Sequence, residues 1–354
     1  IDLFSGTLDT GDYDNDGDLD ILQTGINGSA FTRIYRNDGN GDFAVVDPLL
    51  AQTRSGDATF VDYDNDGDLD ILLAGLNFAE QPLTKLYRNE GGSYVDSGVE
   101  LPQLFSASVD FGDVDDDGDL DLFLTGVPND FAEGEAYLLR NDGNDTFVDT
   151  NADLLGVFNG EAAFADYDAD GDLDLLVAGI SAVFGPEKVL ALYENDGSGA
   201  FSAVIDSGLV RGIQNFAWGD YDGDGDLDLV TIGDPFNDAD GDGEDDTMGV
   251  PEPRIYRNDL GSAPAPPAAP VNLATTVTDA GVTFTWDLPA ETDGPLSFNL
   301  RVGTSQTGAN VVADLVDPQL GTRLVADRGN VDMNLSWMVE GMPEGSYYWS
   351  VQAI

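Results

Sequence analysis

Apolar and polar residues alternate along most of this chain in short runs, and clusters of Asn, Asp and Gly break one run from the next. Runs of that length, rich in Val, Ile, Leu, Phe and Tyr, predict β-strands. No stretch keeps apolar residues at the three-to-four spacing of an amphipathic helix. The runs also repeat. GDYDNDGDLDI from Gly11, VDYDNDGDLDI from Val61, GDVDDDGDLDL from Gly112, ADYDADGDLDL from Ala165 and GDYDGDGDLDL from Gly219 align without gaps. A glycine follows each at a fixed offset (Gly25, Gly75, Gly126, Gly179 and Gly233), and then comes a second signature. It reads YRNDG from Tyr35, YRNEG from Tyr87, LRNDG from Leu139, YENDG from Tyr193 and YRND from Tyr256.

In the second unit the pattern predicts strands over Asp57–Tyr63, Leu69–Gly75, Thr84–Arg88 and Ser93–Ser97. Four short strands in a unit of about fifty residues is the arithmetic of a β-propeller blade, whereas the coils of a β-solenoid, the rival reading, are usually shorter. The fold expected is therefore all-β: a β-propeller of four-stranded blades with five repeats visible, followed by an antiparallel β-sandwich. A fourth strand shows near Phe43, Tyr94, Phe147 and Phe201, but none follows Tyr256. The fifth blade should lack its outer strand, and the sandwich a closing one. The sequence is thus expected to be a piece of a longer chain, with a donor strand or further blades before Ile1.

The composition changes after Asp259, which sets the domains at residues 1–259, 260–270 and 271–354. Leu260–Pro270 has four prolines in eleven residues and reads as a semi-rigid linker. Beyond it, the runs from Val271, Leu296 and Gly345 alternate with turn breaks, as in a sandwich with Trp286 and Tyr348 or Trp349 as inward anchors. The Trp286, Leu288, Pro289 stretch and the Gly345–Tyr347–Trp349–Val351 alternation resemble a fibronectin type III module.

Charge and missing residue types narrow the chemistry. Acidic residues number 68 against 13 basic ones, a formal net charge of −55. That balance makes nucleic acid a poor partner and disfavours an anionic membrane surface. No apolar run is long enough to span a bilayer. Without Cys or His there is no zinc site of the usual kind, no disulfide and no imidazole-based triad. Hard cations with oxygen ligands remain.

The repeat supplies those ligands in the spacing D-x-D-x-D-G-x-x-D. Carboxylates at positions 1, 3 and 5 converge when the chain curls, Gly at position 6 permits the turn, position 7 offers its backbone carbonyl, and Asp at position 9 closes an oxygen cage. The candidate ligands are Asp12, Asp14, Asp16, Asp18 and Asp20 in the first loop and Asp62, Asp64, Asp66, Asp68 and Asp70 in the second. They continue with Asp113, Asp115, Asp117, Asp119 and Asp121, then Asp166, Asp168, Asp170, Asp172 and Asp174, then Asp220, Asp222, Asp224, Asp226 and Asp228. Five Ca2+ ions are expected. A sixth candidate, Asp238, Asp240, Asp242, Glu244 and Asp246, fits the spacing but lies out of phase with the repeat. An EF-hand is ruled out, because position 12 is never Glu and the loop runs into a strand. The plain alternative, turns or an acidic coat, accounts poorly for five loops with every ligand position intact.

The five units resemble the FG-GAP/VCBS repeats of integrin-α-like propellers over about Leu3–Asp259. The resemblance implies a propeller, usually of seven blades, with metal loops between the first two strands of each blade and roles in adhesion or ligand binding. It carries the family's calcium positions onto the aspartates named above.

Loops joining the second and third strands face away from the metal loops and vary in length: Ile26–Thr32, Leu76–Leu83, Val127–Glu135, Ile180–Glu187 and Asp234–Pro253. Variable loops on a rigid scaffold are where recognition tends to lie, with Phe78, Phe131, Phe184 and Phe236 as candidate contacts or as packing for their own loops. Tyr35, Tyr87, Tyr193 and Tyr256 are expected in the blade core, and Arg36, Arg88, Arg140 and Arg257 beside the carboxylates. The function expected is a calcium-stabilised binding, adhesion and structural protein, extracellular or on a bacterial cell surface, taking a protein or glycan ligand, and not an enzyme. The alternatives are part of a secreted polysaccharide-degrading enzyme, and a self-associating or tandem subunit of a stalk or filament.

Overall fold

The computed structural model describes residues 5–353 apart from 40–41, 47–48, 130–132, 183–187, 206, 210–212, 223, 234–251, 261–266, 279–280, 290–295, 306–310, 313–330, 332 and 341. The described elements are all strands, and no helix is long and apolar enough to cross a membrane. Blade one comprises β1 (Leu8–Gly11), β2 (Asp20–Ile26), β3 (Ala30–Asn37) and β4 (Phe43–Val46). Blade two comprises β5 (Ala58–Val61), β6 (Asp70–Leu76), β7 (Pro82–Asn89) and β8 (Tyr94–Asp96), within a residue or two of the expected strands. Blade three holds β9 (Phe105–Gly112), β10 (Asp121–Val127), β11 (Glu135–Asn141) and β12 (Phe147–Asp149). Blade four holds β13 (Phe158–Ala165), β14 (Asp174–Ile180), β15 (Lys188–Asn195) and β16 (Phe201–Ala203). Each is an antiparallel meander in chain order, and the fifth is three-stranded among the described residues: β17 (Ile213–Gly219), β18 (Asp228–Gly233) and β19 (Glu252–Tyr256).

The sheets radiate from their first strands, which lie side by side in the order β1, β5, β9, β13, β17. This is a β-propeller. Stacking blades face to face buries the second strand on both sides, so β6 and β10 are buried along their whole length. That explains why ILLAGL and LFLTGV are almost continuously apolar rather than alternating. Their residues still divide by parity: Ile71 and Leu73 pack toward blade one, Leu72 and Ala74 toward blade three. Gly75, at φ +154°, lies where an added Cβ would meet the Arg54 carbonyl oxygen at 2.6 Å, so a glycine is required there.

Carboxylates near the axis bind blade to blade. Phe60 N donates to Asp9 Oδ2, Phe164 N to Asp110 Oδ2 and Phe216 N to Glu161 Oε2, each at 2.7 Å. Asp57 accepts from Thr7 Oγ1 of blade one and from Val109 N of blade three, and burial raises its pKa to about 6.

The two end blades keep an uncovered side among the described residues. Ile21, Gln23 and Phe43 occupy the register of Ile71, Leu73 and Tyr94, which pack in the blade one–two interface, yet Phe43 is 47% exposed. In blade five, Val230, Ile232 and Ile255 are exposed where Leu72, Ala74 and Leu86 of blade two are buried.

The C-terminal unit has two antiparallel sheets. One holds β20 (Val271–Val277), β21 (Gly281–Asp287) and β23 (Ser336–Glu340); the other pairs β22 (Phe298–Gly303) with β24 (Tyr348–Ala353). Trp286 and Phe298 meet edge-on at 5.8 Å between ring centroids, and Phe284 meets Trp349 at 5.0 Å. Trp349 is thus the second inward anchor, while Tyr348 is exposed. One apolar cluster continues from this core into the interface of blades one and two.

Candidate metal centres

Each D-x-D-x-D-G loop joins the first strand of its blade to the second. The turn is made by two residues with positive φ, position 4 (Asn15, Asn65, Asp116 and Ala169, between 57° and 60°) and the glycine at position 6 (91° to 102°). Within the curl, position 1 caps the turn: Asp12 takes Asp16 N on Oδ1 and Gly17 N on Oδ2, and Asp62, Asp113, Asp166 and Asp220 repeat both bonds. Position 5 accepts from the backbone N–H of position 7 in the first four loops, as Asp18 N does to Asp16.

Position 9 has a double task that its spacing did not reveal. In Asp20, Oδ2 accepts from Tyr13 N and Oδ1 from Asn37 N, and Asp70, Asp121, Asp174 and Asp228 do the same in their blades. These residues tie the D-x-D-x-D-G loop to the second signature, and all are buried. Position 7 was expected to turn its carbonyl to the metal. Its side chain also reaches sideways, Asp68 accepting from Asn15 Nδ2 at 2.8 Å and Asp119 from Asn65 Nδ2 at 2.9 Å, which links loop one to two and two to three.

The remaining carboxylates converge. Ligand oxygens lie within 4.8 Å of one another in the sets Asp12–Asp14–Asp20, Asp62–Asp64–Asp66, Asp113–Asp115–Asp121, Asp166–Asp168–Asp174 and Asp220–Asp222–Asp228. Position 3 supplies the decisive atoms: Oδ1 of Asp14, Asp64, Asp115 and Asp168 is buried without a hydrogen-bond partner. Burial first, and neighbouring carboxylates next, raise these groups. Asp20, Asp121 and Asp174 are pushed to about 7, Asp70 to about 9, Asp14, Asp113 and Asp166 to about 6, and Asp12 well above the ordinary value. Pairwise repulsion at such distances is about 1–4 kcal/mol for effective dielectrics of 80 to 20.

The donor set fits a hard cation. An ion with oxygens at about 2.3–2.6 Å spans ligands up to about 5 Å apart, which matches the clusters. The orphaned Oδ1 atoms are the lone pairs such an ion would use. The sixth candidate, Asp238 to Asp246, lies outside the described residues, as do Phe131, Phe184 and Phe236; Phe78 is 81% exposed.

Three arginines of the second signature lie at position 3. Arg88 Nε is 2.9 Å from Asp64 Oδ2, Arg257 Nε is 2.8 Å from Asp222 Oδ2, and Arg140 Nε is 4.0 Å from Asp115 Oδ2. Arg36 pairs with Asp38. Tyr87 and Tyr193 are buried as expected, and Tyr35 and Tyr256 half-buried. One contact had no sequence signal: Asn334 of the C-terminal unit donates to Asp62 Oδ2 at 2.7 Å, and both are buried.

Residues 7–73, 113–177 and 180–231, more than half of the chain, match the family model described as FG-GAP-like repeat. The chain belongs to that family. No curated protein matches it. Among solved structures, this FG-GAP-like repeat protein is similar to a thermostable family-43 glycoside hydrolase, at 9% identity and TM-score 0.34 over 72% of this chain and 90% of the other. It is also similar to a mutant Aleuria aurantia lectin in complex with alpha-methyl-L-fucoside, at 8% identity and TM-score 0.39 over 80% and 88%.

Proposed function

We propose that this chain is a calcium-stabilised binding and structural module of an extracellular or cell-surface protein, with one ion in each of five loops. The observation that carries this is the buried, unpartnered Oδ1 at position 3, repeated in four loops beside two further carboxylates. A buried acceptor with no partner costs about 1–3 kcal/mol, and evolution of a turn alone gives no reason to repeat it. A divalent cation would satisfy the orphan and offset the clustered charge. Positions 1, 3 and 9, with position 5 in the second loop, would hold it, and the position-7 carbonyl would complete the cage. Cytosolic calcium is scarce, so sites of this kind are best filled outside the cell.

The ions pin the scaffold; the ligand, a protein or glycan, meets the variable loops on the opposite face, where Phe78 stands exposed. The C-terminal unit serves as a fibronectin type III-like spacer. Inductively coupled plasma mass spectrometry of the desalted protein tests the reading. About five calcium ions per chain are expected, and fewer than three would sink it.

A further inference from the structure

The five loops are not equal, because one signature breaks the pattern of the others. Its second residue is Arg36, Arg88, Arg140 and Arg257 in four repeats but Glu194 in the fourth. In the second and fifth repeats the guanidinium lies within 3 Å of the position-3 carboxylate, at Asp64 and Asp222. In the fourth, Asp168 has no such cation among the described residues, and the Glu194 charge instead adds to those that raise its pKa.

We propose that this residue sets the calcium affinity of each loop, and that the fourth loop, with Glu194, binds more tightly than the second and fifth. The inference rests on the five-site calcium reading above. Two effects of an arginine compete: its charge repels the ion, while its hydrogen bond could orient the position-3 carboxylate and so help binding. Blade four separates them. Asp168 Oδ1 is buried and orphaned like its equivalents Asp14, Asp64 and Asp115. Asp166, Asp168 and Asp174 also converge within the same 4.8 Å as the other sets. The loop therefore shapes itself without an arginine, and the charge is what remains. Replacing Arg by Glu changes the local charge by two, next to a divalent ion at the protein surface. Coulomb energies there favour the acidic loop by at least tenfold in Kd, about 1.4 kcal/mol.

Isothermal titration of the metal-free full chain with calcium chloride tests this, using E194R, E194Q and R88E. Glu194 is exposed and Arg88 partly so, and circular dichroism of each loaded variant checks the fold. The expected wild-type isotherm shows one site at least tenfold tighter than the weakest. E194R should weaken that site at least tenfold, to the level of the second and fifth, E194Q should weaken it less, and R88E should create a second tight site, with five ions bound in every case. Five ions bound with isotherms that E194R and R88E leave unchanged would overturn the inference and spare the calcium reading. No calcium heat from any protein would overturn the calcium reading itself. Tightening by E194R would show that the arginine's orienting bond outweighs its charge, which also overturns the inference.

Discussion

Asn89 Nδ2 donates to the carbonyl oxygen of Tyr13 at 2.9 Å, joining the second signature of blade two to the aspartate loop of blade one. The same amide also reaches Leu69 O in its own blade. Asn141 bonds Tyr63 O and Leu120 O, Asn195 bonds Val114 O and Leu173 O, and Asn258 bonds Tyr167 O and Leu227 O. The asparagine of the signature is therefore a clasp between consecutive blades.

Asn141→Ala should leave two buried carbonyls unpartnered and destabilise the chain by about 1–3 kcal/mol. Asn141→Asp keeps the size but replaces a donor by a charge facing those carbonyls, so its loss should be larger. Urea unfolding monitored by tyrosine and tryptophan fluorescence gives both values; an alanine variant as stable as the parent would remove the clasp from the account.

Chelation should lower the melting temperature by many degrees. Each ion bound only to the folded state contributes about 2.7 kcal/mol when calcium stands at a hundred times Kd. Differential scanning calorimetry with calcium and with EDTA reads the shift. Asp64→Ala should bind one ion fewer and show a smaller fraction of it.

The raised carboxyls give the metal-free chain an unusual pH response. Asp20, Asp121 and Asp174 titrate near 7 when folded, against an ordinary 3.8. The folded state keeps protons that the unfolded state has already released, so this stability is fully present below pH 4 and is lost as pH rises through 7. In EDTA the melting temperature should fall from pH 5 to pH 8. In calcium it should rise over the same interval, because protons no longer compete for the ligands.

Ala169 sits at position 4 with φ +60°, a conformation costly to any residue with a Cβ and best tolerated by Asn, Asp or Gly. Asn15 and Asn65 hold that position in loops one and two and donate to the next loop. Ala169→Asn should relieve the strain and stabilise the chain by about 1 kcal/mol. A lower melting temperature in calcium would contradict this.

The blades were legible because their ligand spacing and apolar runs are local properties. The nine-residue span from Asp12 to Asp20 carries its own turn chemistry. The clasp was not legible in its role, since Asn89 finds Tyr13 only after 76 residues of chain have folded. Position 9 looked like a ligand alone, and its two backbone bonds appear only once the second signature lies beside it. Strand β23 escaped notice because SWMVE alternates too briefly to stand out, and only its pairing with β21 makes it a strand. The Asn334–Asp62 bond joins residues 272 apart and follows from how the C-terminal unit meets blade two, which no pattern along the chain encodes.

The clasps have a consequence for inheritance. Each junction between described blades is made with the same atoms at the same register: an amide from one signature, a carbonyl from the loop before it. A stretch of about fifty codons copied in frame would deliver a blade whose asparagine meets a carbonyl already in place, and whose own loop offers the next. Lengthening or shortening such a protein then requires no newly invented surface, and relatives can differ in blade number while keeping every internal seam unchanged.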